Sequence, residues 1–218
     1  MPAIAVPDNI RIYLVRHGET EWNRIHRFQG RSDVPLNAEG QRQVRETASA
    51  LKDVPFAAIY ASPLSRAKKT AEAIRTYHPS VPLIEEEGFI EMGLADFDGM
   101  EARRWATDYA DFMKAWGDNP SGVRMPGPGG ECLEEVQARA IDALDFICQA
   151  YPSDSTLLVC SHNFVILSIL CLAKGISLDE FRKLRQDIAA FSVIRRRGDQ
   201  YSVEIMNERT HLKKPDKE

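Results

Sequence analysis

The first residues able to do chemistry are Arg16, His17 and Gly18, which come directly after the apolar stretch from Arg11 to Val15. The β-branched and aromatic residues of that stretch predict a strand buried on both faces of a sheet. Gly18 permits a sharp turn into the polar loop that follows. Ligands of open α/β sheets bind beyond the carboxyl ends of the strands, where this pair lies. A guanidinium there suits an anion, and an imidazole suits nucleophilic attack or proton transfer. The alternative is a solvated arginine and histidine at an ordinary strand exit.

Two further predicted strands end in side chains of the same kind. The strand from Phe56 to Ala61 is followed by Arg66, and the strand from Thr156 to Cys160 is followed by His162. Because helices alternate with these strands, we expect the strands to be parallel, with their carboxyl ends at one edge of the sheet. The resulting cationic cluster would suit a phosphoryl group. The alternatives are a core histidine at 162 and an ordinary surface arginine at 66.

The helices that separate the strands carry start signals. Asn37 is placed to cap a helix that runs to about Lys52. Ser62 is predicted to cap a second helix, with Pro63 at its first helical position and an end near Tyr77.

The rest of the chain continues the alternation of strands and helices. Residues 99–126 hold two short helical patterns, and a loop rich in glycine and proline follows from Pro120 to Gly130. Gly198 and Asp199 predict the turn of a terminal hairpin. The further predicted elements are a strand at Val81 to Glu85, helices at Glu131 to Ala150, Phe164 to Ala173 and Leu178 to Leu184, hairpin strands at Ala190 to Arg196 and Tyr201 to Met206, and a mobile tail from about Thr210 to Glu218.

Composition narrows the class of protein. The length of 218 residues suits one domain, or one domain with a small cap, and a net charge of -4 argues against nucleic acid as a partner. Met1 to Asn9 shows no secretory signal, and the apolar stretch from Leu157 to Ala173 is short for a membrane span. The 4 cysteines lack metal-ligand spacing, so we expect free thiols in the cytoplasm. The oligomeric state is left open.

Several motifs together resemble the histidine phosphatase superfamily, which includes phosphoglycerate mutases and many small phosphatases. The matching segments, in the order of the family, are Arg16 to Asn23 with Gln29-Gly30, Ser62 to Ala67 with Thr70-Ala71, Phe89 to Glu91 with Phe97 to Gly99, Pro128 to Glu131, and Leu158 to His162. With the alternating elements, the resemblance implies an α/β fold: a three-layer α/β/α sandwich with a mostly parallel central sheet. We expect residues 1–218 to form a single such domain, with a cap insertion at about 99–130.

The resemblance also implies roles for particular residues. His17 would be the nucleophile and become transiently phosphorylated. Arg16, Arg66 and His162 would hold the phosphoryl oxygens. Glu91 would donate a proton to the leaving group, unless one of the neighbouring carboxylates does so. Substrate contacts are implied for Asn23, Gln29, Gly30 and Asn163. The implied scheme uses no metal and no cofactor.

Other residues leave alternatives open. Asn163 stands where the family commonly has glycine, and either narrows the pocket or offers a hydrogen bond to substrate. Ala95 and Phe97 replace a frequent glycine and a frequent tryptophan. Trp105 and Trp116 either pack the cap or stack on substrate. Six arginines either select a second anionic group or are solvated, namely Arg24, Arg27, Arg31, Arg103, Arg104 and Arg124. Three histidines are expected at the surface, namely His26, His78 and His211.

Three functions are compatible with these residues. The favoured function is hydrolysis of a small phosphorylated metabolite through a phosphohistidine. A phosphoglycerate mutase is the alternative, although the interval from Glu91 to His162 is compact and Met92-Gly93-Leu94 does not resemble the mutase pattern. A phosphate- or protein-binding module without catalysis is the third, although such a module would not need a nucleophile.

Overall fold

A mostly parallel sheet of six strands forms the centre of the fold. The computed structural model describes residues 9–213, apart from the side chain of Ala106. The strands are β1 (Ile10–Arg16), β2 (Ala58–Ala61), β3 (Leu83–Glu85), β4 (Thr156–Ser161), β5 (Phe191–Arg197) and β6 (Gln200–Glu208). Their order across the sheet is β3-β2-β4-β1-β5-β6. The first four strands of the chain run parallel, whereas β5 and β6 are antiparallel to their neighbours. The predicted mostly parallel sheet is therefore confirmed.

Helices connect the strands and cover both faces of the sheet. They are α1 (Glu21–Arg24), α2 (Ala38–Ala50), α3 (Ser65–Arg75), α4 (Ala102–Asp108), α5 (Ala110–Asp118), α6 (Leu133–Cys148) and α7 (Asn163–Lys174). Short 3-10 helices lie at Glu87–Phe89, Ala95–Phe97 and Leu178–Lys183.

Successive residues of each central strand point to opposite faces, which creates two apolar cores. Leu14 and Val159 belong to the core that contains residues of α6 and α7. Val15 and Leu158, their neighbours in the chain, belong to the core that contains residues of α2 and α3. Because both faces of β1 and β4 are buried, these strands consist of continuous apolar runs rather than alternating ones. The chain therefore forms the predicted three layers.

Helix α2 begins where its capping residue indicated. The Oδ1 atom of Asn37 accepts a hydrogen bond from the amide of Gly40 over 2.7 Å. Val44, Thr47 and Ala48 lie on the buried face of the helix. The cap satisfies one of the amides that have no partner within a helix, so it fixes the start of α2.

Helix α3 begins later than predicted, so the assignment of Ser62 as its cap and Pro63 as its first residue is wrong. The capping position is Leu64, and the helix starts at Ser65. Ser62 instead continues β2, because its amide donates to the carbonyl of Cys160 over 3.0 Å. Its hydroxyl lies 2.7 Å from Nε2 of His162. The prediction that matters for the site is unaffected, since Arg66 still lies in the first turn of α3.

Residues 99–130 form the two predicted short helices, α4 and α5, followed by a loop. Trp116 of α5 is 2% exposed. Its ring contacts those of Phe112, Phe164 and Phe181 at centroid distances of 6.0 to 6.5 Å. Trp105 lies between the rings of Phe28 and Phe97. Both tryptophans therefore pack this segment onto the rest of the chain.

Two of the histidines expected at the surface are not there. His78 is 9% exposed, and its Nε2 lies 3.2 Å from the carbonyl oxygen of Leu51. His211 is partly buried, with its ring stacked on Phe191 and its Nε2 3.1 Å from the hydroxyl of Thr47. His26 is exposed, as predicted. Sequence patterns missed the first two because their partners are distant backbone and side-chain groups.

Residues 210–213, the described part of the predicted mobile tail, are packed onto α2, where the amide of Lys213 donates to Glu46 over 3.2 Å. The rest of that tail, and residues 1–8 of the segment examined for a secretory signal, lie outside the described residues. The predicted hairpin is confirmed, and Gly198 takes a left-handed conformation in its turn, with a φ of 56°.

The cysteines have free thiols, as predicted, and all of them are buried. Within residues 9–213, no helix has both the length and the apolar character needed to cross a membrane.

Candidate active site

The two histidines predicted at the site meet at the carboxyl ends of neighbouring parallel strands. Arg16 at the end of β1 is paired in register with Ser161 at the end of β4. The residues that follow, His17 and His162, place their ring centroids 5.1 Å apart with an angle of 58° between the planes. Both imidazoles are almost completely buried. The parallel register therefore brings together two side chains that are far apart in the sequence.

A backbone hydrogen bond fixes the orientation of His17. Its Nδ1 lies 2.7 Å from the carbonyl oxygen of Gly18. A carbonyl can only accept, so the proton of the neutral ring is on Nδ1 and Nε2 keeps its lone pair. Burial lowers the pKa of His17 well below 6.5, and the charges of Arg66 and Arg16 lower it further. The ring is thus an unprotonated nitrogen nucleophile.

Gly18 is required by a close approach rather than by a turn with positive φ. A Cβ atom at this position would lie 2.7 Å from the carbonyl oxygen of Gly40 and from a methyl carbon of Val44. The start of α2 therefore packs directly against the backbone of the nucleophile loop. The sequence predicted the need for glycine here but gave a different reason for it.

Arg16 is buried with part of its guanidinium unsatisfied. Its Nη1 donates to Oδ1 of Asn163 over 3.0 Å and to the carbonyl oxygen of Gln186 over 2.7 Å. Its Nε is buried without a hydrogen-bond partner among the described residues. Burial lowers the pKa of Arg16, while Glu91 and Asp187 oppose that shift. A buried charged donor without a partner is costly, and an anion bound at the site would satisfy it.

Arg66 is held by backbone carbonyls of the loop that follows α1. Its Nη1 donates to the carbonyl of Ser32 over 2.8 Å, and its Nη2 donates to that of Gly30 over 2.7 Å. The side-chain amide of Gln29 has its oxygen toward Arg66 and its nitrogen toward Thr20, because this orientation pairs a donor with an acceptor at both contacts. Burial lowers the pKa of Arg66 to about 10. The guanidinium keeps its charge at neutral pH and is fixed in one orientation.

Asp98 orders the loop that holds Arg66. One carboxylate oxygen accepts from the amide of Gly30 over 2.9 Å, and the other accepts from the amide of Ser32 over 2.8 Å. The same two residues direct their carbonyls at Arg66. Asp98 therefore positions Arg66 through the backbone.

His162 receives its orientation from both sides. Its Nδ1 accepts a hydrogen bond from Nε of Arg66 over 3.2 Å. The proton of the neutral ring must then be on Nε2, which lies 2.7 Å from the hydroxyl oxygen of Ser62. Burial lowers the pKa of His162 well below 6.5, and Arg66, His17 and Arg16 lower it further.

Glu91 is the buried carboxyl of the site, with 3% exposure. Its Oε1 accepts from the amide of Met92 over 2.8 Å. Burial raises its pKa, against the opposing effects of that amide and of Arg66 and Arg16. A carboxyl with a raised pKa can carry a proton in the range where ordinary glutamates have lost theirs.

Glu131 anchors the segment that carries Glu91. Its carboxylate accepts from the amide of Gly93 over 2.8 Å and forms ion pairs of 3.0 Å with Arg139 and Arg31. Burial opposes the shift, but the hydrogen bonds from Arg139 and Gly93 lower the pKa of Glu131. The ionised carboxylate therefore ties the loop after Glu91 to α6.

A cavity of about 180 Å³ opens between these groups, and it is lined by Arg16, His17, Asn23, Arg27, Phe28, Gln29, Glu91, Leu94, Asn163 and Phe164. Three of the predicted substrate contacts, Asn23, Gln29 and Asn163, are in this lining. Gly30, the fourth, is buried and outside the lining, and its amide and carbonyl are bonded to Asp98 and Arg66. Arg66 and His162 are fully buried and do not line the cavity.

Sequence reasoning gave no separate role to Asp98 or Glu131, although both belong to motifs that it singled out. The signal available was an acidic residue beside glycine in each motif, at 98–99 and 130–131. Arg27 was one of six arginines that the sequence could not rank. Among the described residues, no group of three or more His, Cys, Asp or Glu side chains is arranged to hold a metal ion.

Comparisons with known proteins identify similar sequences and structures. A model of the histidine phosphatase superfamily (branch 1) matches residues 12–209. A relative from Bacillus subtilis named uncharacterized phosphatase PhoE is 35% identical over 201 residues, which cover 92% of this chain and 96% of that protein. A relative from Proteus mirabilis named probable phosphoglycerate mutase GpmB is 33% identical over 176 residues, covering 81% of this chain and 80% of that protein. The solved structure of Bacillus stearothermophilus YhfR superimposes with a TM-score of 0.84 at 27% identity, covering 93% of this chain and 98% of that one.

Proposed function

This chain belongs to the histidine phosphatase superfamily, and we propose that it hydrolyses a small phosphomonoester through a phosphohistidine on His17. In this scheme it is a hydrolase of the histidine acid phosphatase type, with the imidazole as nucleophile and without a metal or cofactor. The phosphatase name of the Bacillus subtilis relative supports the reaction type.

The first step transfers the phosphoryl group to the enzyme. Nε2 of His17 attacks phosphorus, and the bond between phosphorus and the ester oxygen breaks. Arg16 lines the cavity and stabilises the charge on the phosphoryl oxygens directly, whereas Arg66, which is buried and bonded to His162, contributes its positive charge without lining the cavity. Glu91 gives its proton to the departing oxygen, which leaves as an alcohol.

The second step returns the enzyme to its starting state. The carboxylate of Glu91 takes a proton from water as the water oxygen attacks phosphorus. The bond between Nε2 and phosphorus breaks, inorganic phosphate leaves, and His17 and Glu91 regain their original protonation states. Glu91 must carry a proton for the leaving oxygen in the first step and take one from water in the second, which requires a pKa above that of an ordinary glutamate. Burial raises the pKa of Glu91 in this direction.

The observation that carries the proposal is the hydrogen bond from Nδ1 of His17 to the carbonyl of Gly18. It leaves Nε2 with a lone pair beside a buried arginine whose Nε has no partner among the described residues. A nucleophile and an unsatisfied cationic donor in one cavity are the two requirements for attack on a phosphoryl group.

Hydrolysis of phenyl phosphate tests the proposal. We expect the wild-type chain to release phosphate, a chelator to leave the rate unchanged, and His17→Ala to abolish turnover. His26→Ala is the matched control, since His26 is exposed and outside the cavity. Binding of phosphate without turnover of any ester would instead indicate a non-catalytic phosphate-binding module.

A phosphoglycerate mutase is the second candidate, and the mutase name of the Proteus mirabilis relative favours it. A mutase must keep water away from its phosphohistidine, whereas a phosphatase must admit water. Isomerisation of phosphoglycerate that depends on a bisphosphorylated primer, with negligible hydrolysis, would decide for the mutase.

We also propose that residues 1–218 act as a single domain, with residues 99–130 as a cap beside the cavity, and that the protein works in the cytoplasm. The contact of Trp105 with Phe28, a residue of the cavity lining, supports the cap. The buried free thiols support a reducing compartment.

A further inference from the structure

The structure ranks the six arginines that the sequence left undecided. Five of them have a carboxylate oxygen within 3.0 Å, in the pairs Arg24 with Glu21, Arg31 with Glu131, Arg103 with Glu101, Arg104 with Asp108, and Arg124 with Glu135. None of these five lines the cavity that His17 and Glu91 share. Their charges are compensated outside the site.

Arg27 differs from the others in both respects. It lines the cavity, together with Arg16 and His17. Its Nη2 is 3.7 Å from Glu101, too far for a hydrogen bond, and Glu101 is already bonded to Arg103 over 2.7 Å. Its Nε is buried without a hydrogen-bond partner among the described residues. Arg27 therefore lines the substrate cavity with a positive charge that no carboxylate within hydrogen-bond distance compensates among the described residues.

Two arginines of the cavity lining, Arg16 and Arg27, have an Nε without a hydrogen-bond partner among the described residues. Arg16 adjoins the nucleophile and is assigned to the phosphoryl group, which leaves Arg27 for another part of the substrate. The planar fork of a guanidinium matches the two oxygens of a carboxylate. The cavity of about 180 Å³ has room for a phosphoryl group and a short alcohol portion.

We propose that Arg27 binds a carboxylate on the alcohol portion of the substrate, so that the preferred substrates are short phosphomonoesters of hydroxy acids. This inference rests on the proposed phosphatase function and adds the substrate class to it. Asn23, also in the lining, is the neighbouring polar residue. The competing interpretation is an apolar alcohol portion, because Phe28, Leu94 and Phe164 line the same cavity.

Two substrates that differ in a single group separate these interpretations. Phosphoserine and phosphoethanolamine share the phosphate and the ammonium group, and phosphoserine alone has a carboxylate. Phenyl phosphate represents the apolar class and reports whether the chain is a phosphatase. We expect kcat/KM of the wild-type chain to be at least about 10-fold higher for phosphoserine than for phosphoethanolamine, and higher than for phenyl phosphate.

Variants of Arg27 test the source of that preference. Arg27→Gln is expected to reduce the ratio of the two kcat/KM values by about 10- to 100-fold, the effect of losing one hydrogen bond to a charged group. Arg27→Lys keeps the positive charge but lacks the planar fork, and is expected to retain part of the preference. Arg24→Gln is the control, since Arg24 is exposed, paired with Glu21 and outside the cavity lining. It should leave the ratio unchanged.

The possible failures are distinguishable. If the wild-type chain hydrolyses none of the three esters, the proposed function is wrong and this inference falls with it. If it hydrolyses phenyl phosphate but shows equal kcat/KM for phosphoserine and phosphoethanolamine, the inference alone is overturned. The assignment to Arg27 is also overturned if Arg27→Gln leaves the ratio of kcat/KM for phosphoserine to that for phosphoethanolamine unchanged. It is overturned as well if Arg24→Gln lowers this ratio as much as the Arg27 variants do.

Discussion

Arg66 directs its Nε–H at Nδ1 of His162 over 3.2 Å and shares that hydrogen with the side-chain oxygen of Gln29, so Nδ1 of this imidazole is an acceptor. With Nδ1 as the acceptor, Nε2 carries the proton and donates to Ser62 over 2.7 Å. His17 has the opposite arrangement, because its Nδ1 donates to the carbonyl of Gly18. The two facing imidazoles are therefore different tautomers, and each is held by groups from another part of the chain.

Ser62→Ala is expected to reduce both stability and activity. The substitution removes the acceptor of a buried donor, which costs about 1–3 kcal/mol in free energy of unfolding. We also expect kcat/KM for phenyl phosphate to fall about tenfold, because a ring without this bond no longer holds the tautomer that Arg66 requires. Urea unfolding and steady-state kinetics measure the two effects.

Ser80→Ala is the control for that experiment, since Ser80 is exposed in the loop before β3. A Ser62→Ala protein with unchanged stability and unchanged kinetics would show that the hydroxyl does not determine the state of His162.

Asp98→Asn is expected to weaken phosphoester binding although Asp98 does not line the cavity. The carboxamide keeps one acceptor oxygen for the amides of Gly30 and Ser32, where the carboxylate provides two. The carbonyls that hold Arg66 then lose their fixed positions, and KM for phenyl phosphate should rise at least about tenfold. The inhibition constant of inorganic phosphate should rise with it.

Asp96→Asn provides the comparison, because Asp96 is exposed and lies in the same turn. If both substitutions leave KM and phosphate inhibition at the wild-type values, Asp98 does not position Arg66.

The dependence of kcat/KM on pH follows from the shifts of His17 and Glu91. Because the pKa of His17 is lowered, its nitrogen stays unprotonated as the pH falls below 6.5, and the acid limb of the profile lies below that value. Because the pKa of Glu91 is raised above 4.5, the proton donor is present below its shifted pKa and is lost as the pH rises through it. We expect a bell-shaped profile with its basic limb removed in Glu91→Gln. A basic limb that persists in this variant would assign the proton donor to another group.

Trp116→Ala distinguishes packing from substrate stacking. The indole is 2% exposed and surrounded by aromatic rings, so its removal should cost about 3–5 kcal/mol in free energy of unfolding. KM for phenyl phosphate should stay within about threefold of wild type at a temperature where the variant is folded, because Trp116 does not line the cavity. A large rise in KM without loss of stability would instead indicate a contact with substrate.

The sequence predicted the parts of the fold that local patterns determine. The strands before His17, Arg66 and His162 are continuous apolar runs, which are characteristic of strands buried on both faces. Their alternation with helices indicated that the strands are parallel, and parallel strands in one sheet have their carboxyl ends on one side. Those two facts were enough to expect His17 and His162 to meet.

The parts that sequence patterns could not predict depend on contacts between distant segments. Ser62 has the residue type of a helix cap, but its hydroxyl is used by His162, which lies on a different strand. Arg27 and Arg24 are equivalent in sequence character, and only the positions of Glu101 and Glu21 show which charge is already compensated. Asp98 acts through two backbone amides, which no residue pattern records.

The central claim is that His17 becomes phosphorylated during turnover. Mass spectrometry of the protein, quenched during steady-state hydrolysis of phenyl phosphate, measures this directly on the peptide that contains residue 17. We predict a phosphoryl adduct on His17 that disappears when substrate is exhausted. Turnover at the wild-type rate in His17→Ala, or an adduct on a different residue, would contradict the account.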